Sequence, residues 1–157
     1  MKKSVVINDA MLGELQSILD LQKLSYQENA RRYNNYRIMP LKQTLADMEA
    51  DFSRCTFLSA RIDGVMVGSI RAYREEETCF IVRLFVHPEY RDHGIGKSLL
   101  KAVEERFAGV ARYELFTGYR DEKNLAFYEK MGYRRFREET HEDGMTFYYM
   151  EKENSAK

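Results

Sequence analysis

Arg91, Gly94, Gly96 and Lys97 are spaced as a phosphate site would space them. Glycines without Cβ let backbone amides approach a ligand closely, and a helix start adds orphan N–H groups and a positive dipole end. The flanking guanidinium and ammonium add charge. For such a cradle to form, a strand must end just before it and a helix must begin within it. Upstream, residues 80–86 (Phe-Ile-Val-Arg-Leu-Phe-Val) are dense in β-branched and aromatic types, as a buried strand requires. Pro88 has no amide hydrogen for a ladder, so the strand stops there. Downstream, Ile95, Leu99, Leu100, Val103 and Phe107 share one helical stripe, while Lys97, Lys101, Glu104 and Glu105 face out.

Three phosphate-binding patterns compete for this segment. A P-loop needs a glycine five residues before Gly96-Lys97-Ser98, where the chain has Arg91. A dinucleotide fingerprint needs a third glycine where Leu99 stands. The pattern Val-x-Pro-x-x-Arg/Gln-x-x-Gly-x-Gly/Ala fits throughout, from Val86 to Gly96. That string resembles the acetyl-CoA-binding signature of the GNAT superfamily of N-acetyltransferases. The resemblance assigns the acetyl-CoA contacts to Leu84, Phe85, Val86, Arg91, Asp92, His93, Gly94, Ile95, Gly96, Lys97 and Ser98.

A second block, Asn124-Leu-Ala-Phe-Tyr-Glu-Lys-Met-Gly-Tyr133, resembles the family's later motif, Asn-x-x-x-Tyr-x-Lys-x-Gly-Tyr/Phe. Asn124 and Tyr128 lie one turn apart on a short helix, with Met131 continuing that side. Gly132 suits a C-terminal cap, and Lys130 complements the dipole of the last turn. By itself Tyr128 would serve as a core aromatic. Beside the first motif, the resemblance makes it the general acid and adds Asn124 to the cofactor contacts.

The resemblance implies direct acetyl transfer from acetyl-CoA, a co-substrate, to the amine of a small molecule or peptide. A protonated amine has no lone pair for a thioester, and neutralising a lysine-like amine at pH 7 costs roughly 4–5 kcal/mol. The site must supply a base, directly or through water, or take an acceptor of lower pKa. Backbone N–H groups near Phe85 and Val86 suit the thioester oxygen as it gains charge. Tyr128 would protonate the departing thiolate, and no cysteine nucleophile is required. Several relatives carry a carboxylate base on the fourth strand. Here Arg83 is the only ionisable residue between Phe80 and Val86, so the base is unassigned. Arg83 reads either as a buried ion-pair partner or as an acceptor-site charge. Tyr26, Glu28, Tyr33, Asn34, Asn35 and Tyr36 fall in the segment that lines the acceptor side in the family, although a surface loop has the same composition. A non-catalytic acetyl-CoA-binding or regulatory module is the alternative from another class.

The 157 residues suit one domain, 1–157. Lys plus Arg and Asp plus Glu are 25 each, a balance that points to neither nucleic acid nor an acidic membrane. No apolar run approaches the roughly 20 residues of a membrane span, and polar residues interrupt the amino terminus before a signal peptide forms. Cys55 and Cys79 begin two strands expected to lie two spacings apart in a meander, about 9–10 Å. That exceeds disulfide reach and fits reduced thiols in a cytoplasmic protein. His87, His93 and His141 have no metal-like spacing with them, so no metal is expected. His93 is placed to touch phosphate; His87 and His141 read as surface residues. The expected assembly is a monomer or homodimer.

Ser4–Ile7 reads as a first strand and Asp9 as the cap of a helix carrying Met11, Leu12, Leu15, Ile18, Leu19 and Leu24. Residues 25–40 show no clear period, and Leu41–Phe52 repeats at helical spacing. Asp63-Gly64 between Thr56–Ile62 and Val65–Tyr73 signals a two-residue hairpin. Tyr113–Thr117 reads as a fifth strand, and Arg134–His141 with Met145–Glu151 as a closing hairpin. This β-α-α-β-β-β-α-β-α-β-β order belongs to the α/β class with mixed α+β character. It is the order the resemblance implies: a GNAT-like mixed, mostly antiparallel sheet of about seven strands, with helices on both faces. The family's fourth and fifth strands run parallel and splay apart around the pantetheine arm.

Overall fold

The computed structural model describes residues 4–155. Seven strands, β1 Val6–Asp9, β2 Thr56–Ile62, β3 Val65–Glu75, β4 Thr78–Val86, β5 Arg112–Gly118, β6 Arg134–Thr140 and β7 Thr146–Glu153, form one sheet. Their spatial order is β1-β2-β3-β4-β5-β7-β6. Asp63 and Gly64 both take positive φ, 50° and 80°, which gives the two-residue turn a twist that matches its strands. All neighbouring strands run antiparallel except β4 and β5.

That exception opens the molecule. β4 pairs with β5 only over Thr78–Phe80 against Arg112–Glu114. Immediately beyond, Arg83 pairs with Arg71 and Ile81 with Ala72, leaving Val82 as an extra residue on β4. A bulge bends its strand and adds local twist. The phase change is visible in packing: Cys79 and Ile81 join the same core as Leu84 and Val86. Past the bulge β4 stays with β3 and leaves β5.

Alternation along the strands feeds two layers. On one face, α5 Ile95–Arg106 buries Ile95, Leu99, Leu100 and Val103 against β3, and α6 Glu122–Lys130 adds Leu125 and Tyr128. On the other, α1 Leu15–Ser25 and α4 Leu45–Arg54 pack Leu15, Ile18, Leu19 and Met48 over Phe57 and Phe85. Gly68 lets α5 close on the sheet, since a Cβ there would stand 3.0 Å from the Phe85 carbonyl oxygen and 3.2 Å from Leu99.

The amino-terminal third departs from expectation in four places. The first strand lies two residues later, at Val6–Asp9. Asp9 caps nothing. It accepts both Arg106 Nη hydrogens at 2.6 and 2.8 Å, while Glu14 takes the Met11 amide at 2.8 Å and starts a 3-10 turn ahead of α1. The periodic stretch 41–52 is two helices, α3 Met39–Lys42 and α4, because Gln43 is extended and Thr44 forms a reciprocal capping box with Asp47. The unpatterned stretch holds α2 Gln27–Tyr33, which buries only Ala30 among its residues and ends at Asn34 in the left-handed region. Cys55 and Cys79 are both free thiols, at the first and third strands of the β2–β4 meander.

Candidate active site

The gap between β4 and β5 holds two adjoining compartments of about 330 and 530 Å³. Tyr26, Asn29, Leu84, Asp121, Asn124 and Tyr128 line both.

The smaller compartment is built on the strand–turn–helix segment. Asp92 and Gly94 take positive φ, 66° and 77°, and turn the chain into α5. The first-turn amides of that helix have no intrahelical partner and face the compartment lined by Gly94, Ile95, Gly96 and Lys97. A Cβ on Gly96 would meet nothing closer than Phe127 Cζ at 3.7 Å, so the protein's own packing does not demand the glycine. Leu84, Phe85, Val86, Arg91, Asp92 and Asn124 complete the expected wall. His93 and Ser98 fall outside both compartments: His93 is exposed, and Ser98 sits on α5 with its amide on the Gly94 carbonyl at 3.1 Å. Arg91, on the same wall, pairs with Glu28 and donates to the Ser25 carbonyl at 3.0 Å.

Hydrogen-bond alternation decides which β4 amides reach the gap. The His87 amide donates to Val67 on the β3 side at 2.7 Å. Successive residues alternate direction, so Phe85 also points to β3, whereas Leu84 and Val86 present their N–H groups to the cleft.

Tyr128 stands where the compartments meet and is 7 % exposed. Burial, then the neighbouring Tyr26 phenol and the Asp121 carboxylate, push its phenol above the ordinary tyrosine range. It therefore keeps its proton at neutral pH. Asp121, just ahead of α6, was not singled out by any local pattern. It is buried, accepts from Arg32 and from Asn29 Nδ2 at 3.3 Å, and holds the Tyr33 hydroxyl, whose acidity falls through burial and that carboxylate. These contacts brace α2 against the start of α6.

The larger compartment has β4 and β5 as its floor and residues 37–42 as its roof. The β6–β7 turn supplies the outer wall through His141, Met145 and Phe147. Contrary to its expected surface position, His141 is half-buried there: its ring lies 4.5 Å from that of Phe147, and Nε2 is 2.9 Å from the Tyr149 hydroxyl. Of the segment expected on this side, Tyr26 and Tyr33 line the compartment, Glu28 lines the other one, and Asn34, Asn35 and Tyr36 line neither. Arg37, Ile38, Met39 and Pro40 take their place.

Arg83 also lines this floor. Its cross-strand partner Arg71 is 1 % exposed, donates to Gln22 Oε1 at 3.0 Å and Gln43 Oε1 at 2.8 Å, and lies 3.5 Å from Asp51. Burial and the positive charge of Arg83 lower Arg71 to about 10, so it remains charged at neutral pH. Among the described residues no group of three or more His, Cys, Asp or Glu is arranged to hold a metal ion, and no helix is long and apolar enough to cross a membrane.

A parallel strand pair parts over a glycine-turned helix start, and a protonated phenol stands between two compartments. The sequence profile of the acetyltransferase (GNAT) family matches residues 15–133, and the chain belongs to that family. A Bacillus subtilis (strain 168) protein whose name places it among acetyltransferases is 26% identical over 119 residues, covering 74% of this chain and 79% of its own. Two solved structures share the fold. A GCN5-related N-acetyltransferase from Rhodopseudomonas palustris superposes with a TM-score of 0.80 at 19% identity, covering 98% of both chains. The PaiA N-acetyltransferase of Thermoplasma acidophilum, solved in complex with coenzyme A, gives 0.72 at 21% identity over 96% of this chain and 99% of its own.

Proposed function

We propose that this protein is an acetyl-CoA-dependent N-acetyltransferase that moves an acetyl group directly to a primary amine. The observation that carries the reading is the position of Tyr128, a buried phenol lining both compartments at once. In this reading the first-turn amides of α5 hold the diphosphate, and the open surface at Gly96 is where it lies close. The Leu84 and Val86 amides receive the pantetheine arm and the thioester oxygen in place of the missing β5 partner. The Thermoplasma relative was solved with coenzyme A, which supports CoA as the ligand. The neutral amine attacks the thioester carbon from the larger compartment, the carbon–sulfur pair moves to sulfur, Tyr128 gives the thiolate its proton, and the nitrogen's surplus proton passes to water, from which Tyr128 regains its own. Neither thiol takes part: Cys55 and Cys79 lie outside both compartments, and burial pushes Cys79 up to about 12. Two unpaired thiols suit a cytoplasmic enzyme.

The test is release of free CoA from acetyl-CoA against amino acids, polyamines, aminoglycosides and peptide amines, beside calorimetric titration of CoA. Turnover of an amine is the expected result. CoA binding with no turnover of any amine would favour a regulatory acetyl-CoA-binding module, and no CoA binding refutes the reading.

A further inference from the structure

The floor of the larger compartment carries more positive charge than the protein answers. Arg83 donates Nη1 to its neighbour's carbonyl, Val82 O, at 3.1 Å, yet its Nε is buried with no hydrogen-bond partner. No carboxylate among the described residues pairs with it. Arg71, its cross-strand partner, adds a second guanidinium, and Asp51 sits 3.5 Å from the Nε of Arg71. Arg37 and Lys42 line the roof. The acidic residues of the same compartment are otherwise engaged or remote from this floor: Asp121 is paired with Arg32, Asp143 accepts the Met145 amide at 2.9 Å, and Glu142 is exposed on the turn. A buried guanidinium hydrogen without an acceptor is costly, and a planar fork is the side chain best matched to a carboxylate. Opposite this charge the wall is apolar and aromatic, formed by Phe116, Met145 and Phe147.

From this arrangement we infer that the acceptor is a small amine carrying its own carboxylate on an apolar or aromatic body, with Arg83 as the residue that selects the carboxylate. The inference rests on the acetyl-transfer reading and narrows its substrate. A polycation would meet Arg83, Arg37 and Lys42 as like charges, whereas an amino-acid-like acceptor supplies the missing acceptor atoms to Arg83. Leu84, the next residue on the strand, lines both compartments and carries the amide that the acetyl-transfer reading gives to the cofactor.

The experiment measures kcat/KM with acetyl-CoA for α-, β- and ω-amino acids bearing apolar or aromatic groups, each beside its carboxamide. Spermidine, an aminoglycoside and a phosphate-bearing amine complete the panel. At least one free acid should be turned over about 10²-fold better than its carboxamide, because a site built for a polar group rejects the analogue that lacks it. Arg83→Gln should erase that ratio by raising KM for the acid while KM for acetyl-CoA stays unchanged, and Arg83→Lys should restore part of it. The wild-type ratio alone decides the matter if the variants do not fold. A best substrate without a carboxylate, an acid-to-amide ratio near one, or CoA binding with no acid turned over overturns the inference. The first two of these leave the transferase reading intact, and loss of CoA binding itself refutes both.

Discussion

Tyr128→Phe removes one oxygen and its proton while keeping the ring. No hydrogen bond from another described residue reaches that hydroxyl, so folding should lose little: a change within about 1 kcal/mol. The chemical cost is larger. A thiol leaves as an anion of pKa about 8.5 in water, and an ordinary phenol near 10 is only about 1.5 units weaker as an acid, roughly 2 kcal/mol. Burial raises the Tyr128 phenol further, and a low-dielectric site raises a thiol's pKa in the same direction. General acids contribute about 10²–10⁴-fold, which corresponds to roughly 2.7–5.4 kcal/mol of barrier. We therefore expect kcat to fall by that factor in the Phe variant, with CoA affinity by calorimetry and melting temperature nearly unchanged. Tyr128→Ala is the control for packing. The ring packs tilted at 5.2 Å from Phe127 and edge-on at 6.1 Å from Tyr133, so its loss should cost about 3–5 kcal/mol and lower Tm by on the order of 10 °C. Single-turnover measurement with the best amine isolates the acetyl-transfer step. A Phe variant that transfers at the wild-type single-turnover rate would remove Tyr128 from the mechanism, and the phenol would then be a packing residue.

Further substitutions and titrations test other parts of the arrangement. Gly96→Glu should fold normally, because its Cβ meets no atom closer than 3.7 Å, yet weaken CoA binding by about 10²-fold or more through like charge at the diphosphate; calorimetry reads this directly. Gly68→Ala should lower stability by about 1–3 kcal/mol in denaturant melts, since the new Cβ presses on the Phe85 carbonyl, a backbone atom that cannot swing away. Unfolding without reductant should expose two titratable thiols, and an assay returning none would contradict the meander that separates them. Tyr26, Tyr33, Tyr128 and Tyr133 all have phenols raised by burial. Their folded pKa values exceed the unfolded value near 10, so their contribution to stability is intact below pH 10 and is lost as pH rises above it. Tm should fall in that alkaline range, with these phenols ionising only on unfolding; early ionisation of all 11 tyrosines by ultraviolet titration would refute their burial.

The smaller compartment is legible in the chain because its strand–turn–helix wall is made of consecutive residues whose types specify their own geometry. Pro88 ends a strand, Gly94 accepts a positive φ, and the stripe from Ile95 to Val103 makes a helix whose first amides must then point at the cleft. Asn124 and Tyr128 keep their one-turn spacing for the same local reason. The hairpin at Asp63-Gly64 and the closing hairpin after Tyr133 follow from turn chemistry and alternation. Such signals act over a few residues, so one sequence contains them.

Tertiary structure decides the rest. The bulge at Val82 and the three-residue contact between β4 and β5 open the cleft, yet nothing in Phe80–Val86 marks where pairing stops. Gln43 breaks a periodic helix because Thr44 caps its continuation and because Arg71, 28 residues away in the chain, needs its side-chain oxygen. Arg91 has the composition of a phosphate ligand but reaches Glu28, a partner 63 positions away. The larger compartment joins Tyr26, Arg37, Arg83, Asp121 and His141 from separate elements. Local propensity sets which segments are strands and helices, but a shared cavity depends on packing between segments, and its residues carry no common period by which the chain alone could reveal them.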